Sequence, residues 1–432
     1  VRERRAALNG PLPHRKVENR MPLPLPPHEP FAEFEAGSGS VEVSTTGVFT
    51  RMLRSLTRVD GFGDRVVPII PDEGRTFGMD ALFKELEIYA SQGQLYEPVD
   101  AHLLLSYAES KQGQILEEGI TEAGSTASWI AAGTSYATRG VPRVPFFTFY
   151  SMFGFQRVGD LIWSAADSRA RGFLLGATAG RTTLLGEGLQ HQDGHSLLLA
   201  STVPVCQTYD PAFAYELGVI VEDGLRRMYG ENEDIFYYIT LYNEAYSHPP
   251  MPEGSAEGII RGLYQWAPAP EGREHRAAIV FSGSAQLAAR AAQQTLADDF
   301  GVGAELWSAT AYKSLREDAL ETERWNRLHP HDEPRVPYVT SQLQGMGGPI
   351  VAVTDFMKAI PDQVARWVPG SFTSLGTDGF GRSDDRDALR RFFEIDEGHI
   401  VVAVLRSLAD TGRMDRQVVI DAINRYGIDP EA

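Results

Sequence analysis

The sequence holds a single cysteine, Cys206, so no disulfide can close within the chain and a reducing cytoplasmic setting is expected. It has no run of about 18 apolar residues, which excludes a hydrophobic membrane-spanning helix. Nothing at its start reads as a signal peptide. Basic residues are in deficit: 40 Lys and Arg stand against 58 Asp and Glu, a net charge of −18. Such a surface repels nucleic acid and anionic membranes, so neither is expected as a partner. There is no GxSxG elbow for a serine nucleophile and no Lys-Ser/Thr pair behind a glycine loop, which excludes those hydrolase and nucleotide-binding motifs.

What is present is a globular composition, 432 residues with 43% apolar and 10% aromatic side chains. That is more than one core usually holds, and two domains of roughly 150 to 250 residues are expected. The opening VRERRAALNG reads as the end of a charged helix, so the chain is expected to be a piece of something longer. Residues 11 to 30 hold seven of the 26 prolines, which suits an extended connector, and GSGS at 37 to 40 closes it. We therefore expect a connector over 1–40, a first domain over 41–255 and a second over 270–432, divided by the proline-rich stretch 249–275.

Strand-like runs RVVPII (65–70), VPFFTFY (144–150), RGFLLGAT (171–178) and DIFYYITLYN (234–243) alternate with helical patterns, the mark of an α/β fold built on parallel sheets. The strongest helix signal is DPAFAYELGVIVEDGLRRMYG, with Asp210 as N-cap, Pro211 in first position and Gly230 as C-cap. Phe213, Leu217, Ile220, Val221 and Met228 form its apolar side. A second βα series follows: AAIVFSG, a helix over 285–300, AELWSA, PIVAVTD, a helix near 355–368, FTSLG, and closing helices after Asp384.

Three segments carry candidate chemistry. GRTTLLGEGLQHQDGHS packs Glu187, His191, Asp193 and His195 among glycines. His191 and His195 have the spacing of a zinc-protease helix, but Gln192 stands where the general-base glutamate belongs, and Gly186, Gly188 and Gly194 oppose a helix; zinc is disfavoured. FFTFYSMFGF reads first as a buried strand, and its end, with Tyr150, Met152 and Phe153, lies at the sheet edge where ligands bind in such folds. In GQILEEGITEAG, Glu117 and Glu118 read as surface acids, whereas Glu122 opens an apolar helix where a carboxylate can be fixed and partly buried. GTDGFGRS at 376–383 reads as a plain glycine turn.

Seven blocks in register, GRTTLLGEGLQHQDGHS, YSMFGFQRVGD, GQILEEGITEAG, IIPDEGRTFGMD, RWNRLHP, VPYV and LGTDGFGRSD, closely resemble the homodimeric bacterial pyruvate dehydrogenase decarboxylating component, a thiamine diphosphate enzyme of the transketolase superfamily. The resemblance runs over essentially the whole chain. It implies the pyrimidine-binding middle domain and the C-terminal transketolase-like domain, because the GDG motif and asparagine pair that hold the diphosphate through Mg²⁺ do not occur here. On this resemblance Glu122 matches the glutamate that shares a proton with the aminopyrimidine, and Ile120 the side chain that keeps the cofactor bent. Phe153 matches the stacking ring, with Tyr150 and Met152 nearby. His191 matches the substrate-site histidine, Glu187 its neighbouring acid, and Glu73 a further active-site acid; His195 has a weaker case. The implied partners are an N-terminal half of the same enzyme, a second copy in a homodimer, the lipoyl-bearing acetyltransferase component and pyruvate. Rival expectations are a split thiamine enzyme with another substrate, a transketolase, or a scaffold subunit without catalysis.

Overall fold

A computed structural model describes residues 1–7, 21–72, 74–97, 107–185 and 187–431. Two sheets organise it. The first is six-stranded and wholly parallel: β1 (Val66–Ile70), β2 (Leu116–Glu117), β3 (Val144–Tyr150), β4 (Phe173–Ala177), β5 (Cys206–Tyr209) and β6 (Phe236–Thr240), in the order β2-β1-β3-β4-β6-β5. The second has β7 (Tyr264–Ala267), β8 (His275–Phe281), β9 (Val302–Ser308), β10 (Ile350–Val353) and β11 (Phe372–Leu375), in the order β7-β9-β8-β10-β11. Its edge strand β7 runs antiparallel to β9, which the proline-flanked sequence around it did not announce. The other pairs are parallel.

Helices on both faces explain why the strands read as unbroken apolar runs. Every residue of β3 and of β4 is buried, so alternation has no face to report. The helices that matter below are α1 (Thr45–Thr57), α2 (Glu122–Gly133), α3 (Phe155–Asp167), α4 (Ser196–Ser201), α5 (Ala214–Leu225), α6 (Gln286–Phe300), α7 (Tyr312–Leu328), α8 (Arg386–Phe392), α9 (Glu397–Asp410) and α10 (Arg416–Tyr426). Near the start, Arg2–Ala7 is an exposed helix and Glu29–Ala32 a short one with Pro30 in its first turn. Phe31 within it and Phe34 just after it are buried in the core.

The helix expected from Asp210 starts later. The Glu216 carboxylate reaches back to accept from the amides of Ala212 (2.5 Å) and Phe213 (3.1 Å), so α5 begins at Ala214 and is capped from within. Asp210 is instead buried between the sheets, accepting from Tyr242 Oη (2.5 Å) and Thr240 Oγ1 (2.6 Å). The apolar residues named for this helix are all buried as expected. Likewise the segment near 355–368 is not an α-helix: Asp355 lies just past the end of β10, and only a 3-10 stretch, Pro361–Trp367, follows.

The two sheets are joined by packing and by buried polar groups. Phe213 lies 5.5 Å from Trp266 and 6.0 Å from Phe281, ring centre to ring centre. Glu216 Oε1 accepts from Tyr264 Oη (2.6 Å) and Ser308 Oγ (2.7 Å), and burial pushes this carboxyl up to about 6. Residues just beyond the carboxyl ends of strands in both sheets also meet: the Gly283 amide donates to Asp210 O (3.3 Å) and the Asp210 amide to Thr310 O (2.8 Å). This contact between two carboxyl edges places the candidate site.

Candidate active site at the edge of the first sheet

Three chain segments leave the carboxyl edge of the first sheet side by side. After β2 the chain turns through Gly119, at φ +77°, and enters α2, whose N-cap Thr121 accepts from the Gly124 amide at 3.2 Å. After β3, one 3-10 turn, Ser151–Phe153, leads into α3. After β4 a long loop runs to α4 and carries a 3-10 turn at Leu189–His191. The sequence HQDGH is thus no helix: His191 ends a turn, Gln192 is extended, and His195 sits at the N-cap of α4. Among the described residues no three His, Cys, Asp or Glu side chains are grouped to hold a metal ion.

The geometry brings four of the predicted residues together. The His191 ring packs 4.7 Å from Tyr150 and 5.4 Å from Phe153, and Tyr150 also packs 6.1 Å from Phe153 and 5.2 Å from Phe77. Among the described residues, His191 Nδ1 is buried without a hydrogen-bond partner. A buried ring nitrogen is costly to leave unsatisfied, and one beside two aromatic faces is suited to a polar ligand. Glu122, 5% exposed, begins α2 and holds an ion pair with Arg157 Nη1 at 2.9 Å. The Arg157 guanidinium in turn lies 4.3 Å over the Phe153 ring. One chain of contacts therefore links Glu122, Arg157, Phe153, His191 and Tyr150.

The other predicted residues fall as follows. Met152 is half-buried in the turn between Tyr150 and Phe153, and Glu187 is half-buried in the loop before His191. Ile120 projects at 76% exposure, a bulky apolar side chain two residues before Glu122. Glu73 lies outside the described residues. His195 supports the loop: its Nε2 meets Gln156 Oε1, and Asp193 Oδ1 accepts from its backbone amide at 3.0 Å. Glu117 and Glu118 are not the surface acids expected. Tyr107 Oη donates to Glu117 at 3.3 Å, and burial, then the nearby Asp72 charge, pushes its carboxyl up to about 7. Glu118 accepts from Ser128 Oγ, which the first turns of α2 fold back over it.

Arg157 was missed because a basic residue on an amphipathic helix reads as solvated, and it is indeed half-exposed. The glycine turn at 376–383 proves to be a docking surface. The Arg382 amide donates to Gln192 Oε1 at 2.6 Å, and a Cβ on Gly381 would stand 2.5 Å from Leu189 O, so only glycine admits the loop that carries His191. A groove lined by Leu25, Phe31, Val219 and Met251 lies under the N-terminal segment and involves none of these residues.

Comparison with known proteins bears on the family and the fold. Residues 23–249 match the family model described as pyruvate dehydrogenase E1 component middle domain, and residues 262–396 match the transketolase-like C-terminal domain. Proteins named pyruvate dehydrogenase E1 component from Pseudomonas aeruginosa, Mycobacterium tuberculosis and Escherichia coli are 54%, 53% and 48% identical over 430, 432 and 429 residues. Those alignments take in 99%, 100% and 99% of this chain but 49%, 46% and 48% of the relatives, so the chain spans about half their length. Among solved structures, a transketolase from Leishmania mexicana superposes with a TM-score of 0.65 at 17% identity, covering 88% of this chain and 47% of that one, which supports the fold alone. With more than half of its residues matched by the first of these family models, the chain belongs to the pyruvate dehydrogenase E1 component family, as its middle and transketolase-like C-terminal portions.

Proposed function

We propose that this chain is the C-terminal half of a thiamine diphosphate-dependent enzyme that decarboxylates pyruvate and passes the acetyl unit to a lipoyl group on an acetyltransferase partner. The observation that carries the reading is the convergence of Glu122, Phe153, Tyr150 and His191 at one sheet edge, with His191 Nδ1 buried and unsatisfied among the described residues. These residues fit the pyrimidine half of the cofactor: a flat aromatic face, a buried carboxylate at a helix start and a polar nitrogen. Bound there, thiamine diphosphate would supply the nucleophilic carbon and the electron sink that decarboxylation of a 2-oxo acid requires.

The chain's own residues then have distinct tasks. Glu122 shares a proton with the cofactor's ring nitrogen, and Arg157 steadies its carboxylate charge when that proton sits on the nitrogen. Phe153 offers a stacking face, braced from behind by the guanidinium. Ile120 props the cofactor from the open side. His191 donates to the carboxylate or carbonyl oxygen of the substrate, held at its angle by the Tyr150 ring, with Glu187 and Glu73 as further acids around the substrate and Met152 in the wall. Residues 41–255 form the pyrimidine-binding domain and 270–432 the C-terminal domain, with 1–40 as the connector. The diphosphate and its Mg²⁺ belong to an N-terminal half, and the open Ile120 flank suits a homodimer. A cytoplasmic location suits the lone buried cysteine and the acidic surface.

The rival substrates are not favoured, since identity to pyruvate enzymes is 47–54% and to transketolase structures 15–17%. The test is to combine this chain with the diphosphate-binding half and compare pyruvate with 2-oxoglutarate. We expect turnover of pyruvate with a strong preference over the dicarboxylate, and weak cofactor binding by the chain alone. Equal turnover of the two acids, or submicromolar cofactor binding by the isolated chain, contradicts the reading.

A further inference from the structure

The loop that carries Glu187 and His191 rises from the first sheet, yet it is held at both ends by the second. At its root, Asp355, fully buried just past the carboxyl end of β10, accepts hydrogen bonds at Oδ1 from the backbone amides of Arg181 and Thr182, each at 3.1 Å. Its Oδ2 accepts from Thr182 Oγ1 at 3.0 Å and from Ser284 Oγ of the second sheet at 3.1 Å. Gly180, at φ +83°, lets the backbone come close enough that a Cβ would stand 2.3 Å from this oxygen. At the far end the Met357 amide donates to Gly194 O at 2.8 Å, and the Arg382 amide to Gln192. Between them Arg386 Nε donates to Thr183 O at 2.8 Å.

We propose that Asp355 is a positioning residue for substrate conversion: from the C-terminal domain it fixes the root of the His191 loop and so sets where that imidazole stands. The inference rests on the reading of His191 given above. In open α/β sheets the crevice beyond the strand ends is where ligands bind. In the second sheet that crevice is filled by peptide amides of the first, so its carboxylate serves the neighbouring site. Thr178, at φ +55° and buried directly after β4, shows that the backbone entering the loop is strained and needs such an anchor. The carboxylate accepts from four donor groups, and Arg390 opposes the upward push that burial gives it. A purely apolar plug could hold the sheets together but could not orient two amides.

The variants are Asp355→Ala and Asp355→Asn. Asparagine keeps Oδ1 for the two amides and turns its NH₂ toward the hydroxyls of Thr182 and Ser284, which can accept, so it should restore most of the function. In the chain itself, hydrogen exchange of the Arg181 and Thr182 amides should quicken by about tenfold or more in the alanine variant, the weight of a lost charge-assisted bond, and stay near wild type in the asparagine variant. With the diphosphate-binding half present, Asp355→Ala should lower kcat for pyruvate by up to about 10²-fold, the cost of a misplaced group. That loss should vanish in a His191→Ala background, because a residue acting through another adds nothing once it is gone. Unchanged exchange in Asp355→Ala, or a full additional loss of kcat on top of a slow His191→Ala enzyme, overturns the role of Asp355 alone. A His191→Ala enzyme at wild-type rate overturns the reading of His191 and this inference with it. Should Asp355→Ala fail to fold, Thr182→Val removes one bond from the loop side and is read in the same way.

Discussion

Replacing Gly381 by Ala tests how closely the C-terminal domain and the His191 loop depend on each other. The added Cβ would lie 2.5 Å from Leu189 O and 2.9 Å from both Cβ and Oε1 of Gln192, where ordinary contact begins near 3.4 Å. Relief requires about 0.9 Å of movement, and the atoms in the way are those flanking His191. Overpacking of this kind costs about 1–3 kcal/mol. A displacement near 1 Å can cost about 10²-fold in rate. Gly379→Ala is the matched control: its φ is +91°, so alanine there costs about 1–2 kcal/mol of backbone strain, but among the described residues nothing lies within 4 Å of its Cβ. Both variants should therefore lower Tm by a few degrees, at roughly 2–4 °C per kcal/mol for a domain of this size. Only Gly381→Ala should slow pyruvate turnover and quicken hydrogen exchange over residues 189–195. Equal loss of turnover in the two variants, or none in Gly381→Ala, refutes the coupling.

Three further outcomes follow from the same structure. Arg390 and Glu244 form a largely buried ion pair, 14% and 10% exposed, so Arg390→Ala should destabilise by about 3–5 kcal/mol in chemical denaturation, with the second loss in Arg390→Ala/Glu244→Gln much smaller than the first. Burial raises Glu117 to about 7, and also raises Asp355 and Glu216 to about 6; the folded state then keeps protons that the unfolded chain has already released. Stability should accordingly fall as pH rises from the ordinary carboxyl range through 7 and level off above it, and Glu117→Gln should flatten the upper part of that decline. His191→Ala should cost on the order of 10²-fold in turnover while leaving Tm nearly unchanged, as expected for one preorganised donor.

Much of the site could be read in the sequence because its signals are local. Continuous apolar runs give buried parallel strands, and Thr121 before Glu122 gives a helix start with a fixed carboxylate. The aromatic turn around Phe153 follows directly from the strand it ends. The features that escaped are those whose partners are distant in sequence. Asp210 has the local pattern of an N-cap, but Thr240 and Tyr242, some 30 residues on, claim its oxygen, while Glu216 takes over the cap. Asp355 reads as the end of a strand, and its ligands Arg181 and Thr182 lie more than 170 residues earlier. The 376–383 glycines read as a turn, yet the missing side chain of Gly381 is used for close approach to a loop 190 residues upstream. Local chemistry thus points to Glu122, and the family resemblance to His191, whereas the framework that holds them emerges only when the two sheets meet.

The central claim is that Glu122, buried at the start of α2 and paired with Arg157, activates the cofactor by proton exchange with its pyrimidine ring. The most direct measurement is the rate at which the acidic proton of the thiazolium ring exchanges with deuterated solvent in the enzyme reconstituted with its diphosphate-binding half. Glu122→Gln keeps the shape and a hydrogen bond but removes the charge, and exchange should slow by about 10² to 10⁴, the usual span for a positioned acid or base. Glu118→Gln, whose oxygen can still accept from Ser128, should leave the rate unchanged. Wild-type exchange in Glu122→Gln would contradict the account.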